Sequence, residues 1–425
     1  MDESQAGGAT VEQTGRSWKD AVTGNVLMMG LVSLFTDFSS EMLNPILPIF
    51  FAGLAGGAQA AFWVGLSEGI AETTAALLKI FSGRISDRLG KRKALVIVGY
   101  GLSSVCRPAI ALVSSGIAGA IQVVGLKFGD RVGKGIRTSP RDALIGDSVG
   151  PKHRGLAFSF HRLMDHTGAV LGPIVVLVVL WGVFDLQLWG KESAGGEVTD
   201  EQMTAMRWLF GIAVIPGALA MLSLITRVRE IAPHREQRES QSEPEEQSKP
   251  PLPGRFYGFV AIVTLFALGN SSDMFLLLYG WRLLDIGLLQ IPLLWIALHL
   301  SKITFSVPGG VLSDRLGRRP IMVAGWTVYM LVYLGMAYLG HAKEQGTAIA
   351  AWHFWALFLA YGFYYGMTEG VEKALVTDFI PSERRGTAFG IYHGAIGLAA
   401  LPASLMFGVF WMQIGPVIAF TIGAG

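Results

Sequence analysis

Long apolar runs separated by short polar stretches make up most of the chain. A helix that crosses a bilayer needs about 20 mostly apolar residues. Eleven runs are of that kind, over 22–52, 58–82, 93–115, 117–147, 155–185, 204–228, 255–281, 287–311, 321–341, 350–379 and 387–414, and a twelfth starts at 416. The pattern predicts an all-α polytopic membrane protein with one helix per run. Residues 1–20 are polar and Gly-rich, without the apolar run and small-residue cleavage site of a signal peptide, and read as an N-terminal tail. Residues 229–254 are rich in Glu, Gln, Ser and Pro and predict a disordered linker. They separate a six-span half, 21–228, from a second half, 255–425, whose last span has only about ten residues and reads as truncated.

Charge in the short connections orients the spans. Basic residues gather between spans 2 and 3 (Arg84 to Lys93), 4 and 5 (Lys152, Arg154), 8 and 9 (Arg315, Arg318, Arg319) and 10 and 11 (Arg384, Arg385), and in the linker. The opposite connections, such as 186–203, are neutral or acidic. Basic loops stay in the cytoplasm, so the N-terminus and linker are expected there, in the inner membrane of a prokaryote.

Composition narrows the class further. The 425 residues are 51% hydrophobic and 16% charged, with a mean hydropathy of +0.46. Soluble chains carry about 25% charged residues, which argues against a soluble two-domain enzyme. A net charge of +2 provides no basic surface for nucleic acid. The single cysteine, Cys106, excludes internal disulfides and multi-thiolate metal sites. No H-E-x-x-H or Walker-A stretch occurs. One G-x-S-x-G match, Gly65 to Gly69, lies inside an apolar helical run and lacks the strand-to-helix turn that the hydrolase chemistry needs. Neither enzymatic activity nor a cofactor is expected.

The halves repeat. Ser39-Ser-Glu-Met42 matches Ser271-Ser-Asp-Met274, an offset of 232; Ser86-Asp-Arg-Leu-Gly90 matches Ser313-Asp-Arg-Leu-Gly317, an offset of 227. Asp147 with Arg154-Gly-x-Ala-Phe158 matches Asp378 with Arg385-Gly-x-Ala-Phe389, an offset of 231. Parallel halves of this kind place a substrate site between them near the bilayer midplane.

The loop Gly83-x-x-x-Asp87-Arg88-x-Gly90-x-Arg92, repeated as Gly310-x-x-x-Asp314-Arg315-x-Gly317-x-Arg319, resembles the signature loop of the major facilitator superfamily. With twelve spans, two halves and a central linker, the resemblance covers nearly the whole chain. It implies two pseudo-symmetric six-helix bundles working by rocker-switch alternating access. It also implies gating roles for Asp87 and Asp314, with Arg88, Arg92, Arg315 and Arg319 as ion-pair partners. The stretch from Asp130 to Leu144 is similar to a prokaryotic efflux permease subgroup, part of it linked to metal or metal-chelate export. Arg131 and Gly135 fit the superfamily's fourth-helix pattern, whereas Arg137 stands where the pattern has a second Gly.

Ionisable groups inside spans are costly and usually functional or paired. Residues four apart share a helix face. Asp37 with Glu41 in span 1, and Glu68 with Glu72 in span 2, therefore form acidic stripes; Lys134, Arg137 and Arg141 form a basic stripe in span 4. Span 5 carries His161 and Asp165, span 7 Asn270 and Asp273, and span 10 Glu369 and Glu372. In the superfamily spans 1, 4, 7 and 10 line the cavity, so these residues are its candidates, together with Arg131. The acids suit a proton carrier or a hard-cation contact, His161 or His166 a softer metal, and the basic stripe an anionic moiety. Local pairing as structural ion pairs is the competing account for spans 4 and 5. Lys79 and Lys302 lie nearer the cytoplasmic ends, where snorkelling accounts for them.

The combined reading is a monomeric, proton-coupled exporter of a small charged substrate such as a divalent metal or metal chelate, in contact with lipid and with no metal site assigned. The alternatives are a multidrug exporter of lipophilic cations, and a transport-inactive sensor or lipid-handling protein.

Overall fold

A computed structural model describes residues 22–89, 91–149, 154–185, 197–231, 251–284, 286–379 and 385–425. The proposed tail and most of the linker lie outside them. Among the described residues, eight helices are long and apolar enough to cross a membrane: Gly24–Ala55, Arg92–Leu112, Phe160–Gly182, Asp200–Arg227, Gly254–Leu283, Gln290–Gly310, Arg318–Glu344 and Ala388–Ile414. These belong to spans 1, 3, 5, 6, 7, 8, 9 and 11. Spans 2, 4 and 10, Gly57–Leu89, Gly116–Asp147 and Ala351–Asp378, match them in length at 33, 32 and 28 residues. They are absent from the apolar set because they carry charge along their length. A short helix, Pro416–Ala424, starts the twelfth span. Large apolar side chains such as Val105, Leu222, Leu265 and Val323 are exposed on the outside, as a lipid-facing surface requires.

Three spans are interrupted where the sequence forbids a continuous helix. Span 1 stops at Leu43 and restarts at Leu47, because Pro45 and Pro48 lack the backbone donors that a continuous helix needs. Span 6 breaks at Ala213, four residues or fewer before Pro216. Span 7 opens between Gly269 and Met274. There Asn270, Ser271, Ser272 and Asp273 offer side-chain partners to the backbone, and Ser272 Oγ accepts from Met274 N at 3.3 Å.

The spans form two six-helix bundles that meet mainly through spans 2 and 11 and spans 5 and 8. An ion pair repeats across them. Arg92 at the start of span 3 pairs with Asp147 at the end of span 4; Arg318 at the start of span 9 pairs with Asp378 at the end of span 10, at 2.8 Å. Spans 8 and 9 are joined through Gly317 alone, whose φ of +95° is open to glycine and strained for other residues.

Three apolar clusters show which end is open. One contains Met42 to Val64 from the first half and Met274 to Leu298 from the second, so the halves share a core at the end bearing the 1–2 turn. At the opposite end each half has its own core, around Val26, Tyr100 and Leu144 in one and Phe256, Met322 and Tyr392 in the other. Among the described residues the protein is therefore closed at the 1–2 turn and open at the end carrying the signature loops.

The closed end depends on backbone approach between spans 2 and 11. A Cβ at Gly65 would fall on Ser404 O, one at Gly69 would lie 2.8 Å from Leu401 Cα, and one at Gly408 2.6 Å from Ala61 O. Close small-residue crossings of this kind drive helix association in lipid. Gly65→Leu is expected to prevent closure there, leaving helix content unchanged and transport below a tenth of wild type, about the weight of 1.4 kcal/mol or more. Circular dichroism and uptake assays check it; wild-type transport would show that the seam tolerates separation.

Candidate functional site

Between the two bundles lies a cavity of about 460 Å³. Nine of the fourteen sequence candidates line it: Asp37, Glu41, Glu68, Glu72, Arg131, Lys134, Arg137, Asn270 and Asp273. Ser40, Asn44, Arg107, Ser271, Ser272, Met274, Trp295, Tyr365, Ala400 and Ser404 complete the lining. Most of the lining residues are polar or charged, from the charged faces of spans 1, 2 and 4 and the opened backbone of span 7, with Met274, Trp295 and Ala400 as the apolar part of the wall.

Most of the charges are paired. Spans 2 and 4 run side by side, and Glu68 pairs with Lys127 while Glu72 lies 3.6 Å from Arg131. Both pairs are 59 positions apart, so each acid meets a base at the same height on the neighbouring helix. Arg107 Nε donates to Asp130 Oδ1 at 2.9 Å, and its Nη1 to Thr36 O at 2.6 Å, which ties span 3 to spans 4 and 1. In the other half Asp273 Oδ1 accepts from Tyr361 Oη at 2.8 Å and Tyr365 Oη at 3.2 Å. Its Oδ2 lies 3.1 Å from Lys302 Nζ, which also stands 3.9 Å over the Tyr365 ring. Lys302 is thus an internal counter-charge and not a snorkelling residue.

Two opposite charges remain. Among the described residues, Asp37 and Lys134 have no ion pair within 4 Å and no side-chain hydrogen bond, though each lies in the other's electrostatic field. They come from facing spans, 1 and 4. Glu41, one turn beyond Asp37, also lacks a cation; it accepts from Asn44 Nδ2 at 2.9 Å and Trp295 Nε1 at 2.8 Å.

Arg141, His161, Asp165, Glu369 and Glu372 are not among the lining residues. The basic stripe of span 4 splits. Only Lys134 stays free, because span 3 approaches span 4 so closely that a Cβ on Gly99 would be 2.6 Å from Arg137 Cβ. Arg137 is therefore held by Ser103 Oγ and the Tyr100 ring, and Arg141 pairs with Asp142 at 2.8 Å. His161 and Asp165 face each other on span 5 at 3.6 Å, with Ser33 of span 1 donating to Asp165. Glu369 pairs with Lys373 at 2.9 Å. Glu372 accepts from Tyr392 Oη at 2.9 Å and from Trp326 Nε1 at 3.4 Å.

Among the loop residues, Gly83, Asp87 and Arg88 fall in the last turns of span 2 with side chains outside the described set, as is that of Asp314 in span 8; Gly90 lies outside the described residues. Arg92 carries the ion pair with Asp147 given above. Gly310 has open space around it, Gly317 makes the turn, and Arg315 and Arg319 are exposed, with Arg319 6.0 Å over the Phe379 ring. Sequence reasoning missed Arg107, Lys127 and Trp295. The two cations could have been found as charges inside apolar runs; nothing in the sequence singles out the tryptophan.

Two helical bundles around a polar cavity open at one end define a membrane transporter. The family model for the Major Facilitator Superfamily matches residues 29–404, and the chain belongs to that family. It is 33% identical over 405 residues to an MFS-type transporter of Methanocaldococcus jannaschii, covering 94% of this chain and 91% of that protein. It is 30% identical over 138 residues to the multidrug resistance protein MdtH of Cronobacter sakazakii, covering 31% of each. A solved D-xylose–proton symporter has the same fold, with a TM-score of 0.69, 17% identity and 94% of each chain covered.

Proposed function

We propose that this transporter carries a small hydrophilic substrate bearing both charge signs, coupled to protons and in the export direction. The observation that supports this reading is the pair of unpaired charges, Asp37 and Lys134, on facing walls of a cavity whose other charges are largely matched. Lys134 suits an anionic group of the substrate. Asp37 and Glu41 suit its cationic part, since each carboxylate lacks a cation of its own, and Asp37, which has no hydrogen-bond donor on its carboxylate among the described residues, suits a proton in the unloaded protein. A chelate of a divalent metal with an organic acid has both parts. Among the described residues no three His, Cys, Asp or Glu side chains gather as a metal site, which favours a cargo that brings its own ligands over a bare ion. Export is favoured by the partial likeness to the multidrug resistance protein, and placement in a prokaryotic inner membrane with a cytoplasmic N-terminus by the basic loops. The two-half division at residues 229–254 and monomeric action are part of the same proposal.

The test uses proteoliposomes with a pH-sensitive dye inside and an imposed proton gradient. Proton movement on adding metal–citrate, and less or none with citrate or metal alone, is expected. Movement only with lipophilic cations would replace this reading with a multidrug one. In the signature loop, Asp87→Asn is expected to slow turnover about tenfold, the loss of roughly 1.4 kcal/mol at a conformational barrier, with little change in apparent affinity. Unchanged turnover would remove the loop from gating.

A further inference from the structure

The carboxylate of Glu41 is held from both halves of the protein. Asn44 Nδ2, in its own span, donates to Oε1 at 2.9 Å; Trp295 Nε1, in span 8 of the other half, donates to Oε2 at 2.8 Å. Trp295 is 5% exposed. Its ring packs 5.1 Å from that of His299, one turn on in its own helix, and the His299 Nδ1 lies 2.9 Å from the Trp295 carbonyl. Among the described residues, two other hydrogen bonds cross between the halves, Thr73 Oγ1 to Gly397 O at 2.7 Å and one from Arg282 to Gly57 O. Neither uses an ionisable group of the cavity. The indole–carboxylate bond therefore joins the substrate space to the shared core that seals the closed end.

We propose that Trp295 is a positioning residue that couples cavity occupancy to closure: its indole clamps Glu41 and so holds the closed end shut until a positively charged part of the substrate draws the carboxylate away. The proposal rests on the transport reading above. A hydrogen bond to an ionised carboxylate is about twice as strong as a neutral one, and it exists only while the halves touch at this end. A cation that engages Oε2 competes for the same lone pairs, weakens the clamp and lets the halves part where the core is shared. An empty cavity keeps the clamp, which opposes switching without cargo.

Thiol labelling tests this without substrate or gradient. In a Cys106→Ser background, Ala400→Cys reports the open cavity and Ala61→Cys the sealed core. Trp295→Phe keeps an aromatic ring and removes the donor. Labelling at Ala61 is expected to rise about tenfold and labelling at Ala400 to fall, the scale of one hydrogen bond to a charged group. Glu41→Ala is expected to do the same, and the double variant no more than either single one. Wild-type labelling in both single variants, or additive effects in the double one, overturns the proposal. Normal labelling with intact proton-linked transport removes the clamp alone; altered labelling without such transport removes the coupled reading alone.

Discussion

Asp37→Asn abolishes proton-driven transport, by a hundredfold or more, and leaves the protein folded. The size follows from the role: a side chain positioned to take and give a proton contributes about 10²–10⁴-fold, and Asn keeps the shape of Asp without titrating. The lack of structural damage follows from the surroundings. Asp37 lines the cavity without an ion pair, so its replacement strands no buried cation. Glu41, one turn away, keeps its bonds to Asn44 and Trp295. Two assays on the same liposomes separate the roles. Accumulation against a gradient is lost in Asp37→Asn, while exchange of labelled for unlabelled substrate, which needs no net proton movement, persists. Glu369→Gln is the contrast. Its carboxylate sits on Lys373 outside the cavity, and transport is expected to stay within twofold of wild type, as for a surface change of about 0.5 kcal/mol or less. Wild-type accumulation in Asp37→Asn would eliminate Asp37 as the proton carrier.

The sequence makes the helices, their order and their repeat legible because each is a local or periodic property. A run of about twenty mostly apolar residues is long enough to cross a bilayer, whereas the breaks in spans 1, 6 and 7 are not legible, since prolines also sit inside unbroken helices such as at Pro140 and Pro402. Residues on one face of one helix were equally legible: Asp37 and Glu41 line the cavity together, as do Glu68 and Glu72. Pairings between helices were not. That Lys302 turns to Asp273, Arg107 to Asp130 and Lys127 to Glu68 depends on how each helix is rotated about its axis and how close its neighbour comes. Spacing within one helix carries no information on that. The different partners of the span 4 bases follow the same rule: Lys134 and Arg137 both line the cavity, but Arg137 also stacks on Tyr100 at the tight crossing with span 3. Trp295 was invisible for another: one aromatic in an apolar span reads as packing until its indole nitrogen has a partner.

The buried ion pair between spans 2 and 4 yields the largest expected change in stability. Glu68 and Lys127 are 7% and 5% exposed. They form the inner of two parallel contacts, the other being Glu72 with Arg131, and Ser139 Oγ donating to Lys79 O at 3.0 Å ties the same two spans further toward the open end. Glu68 makes no other ion pair among the described residues. Lys127→Met therefore leaves a carboxylate inside the bundle without its cation, and breaking a buried pair in this way costs about 3–5 kcal/mol. Glu68→Leu leaves Lys127 stranded at a similar cost. The double variant Glu68→Leu with Lys127→Met removes both charges and fills the space with apolar atoms. Such replacements are neutral or stabilising by about 1–4 kcal/mol, so the double variant is expected to recover wild-type stability or exceed it. Denaturation midpoints of the four proteins in detergent give the coupling between the two sites. A double variant as damaged as the singles would mean that the pair acts through the cavity rather than as a neutralised strut. Transport by a restored double variant then separates the two acids of the span 2 stripe: Glu68 as scaffold, and Glu72, which shares Arg131 with the cavity, as the one still within reach of substrate.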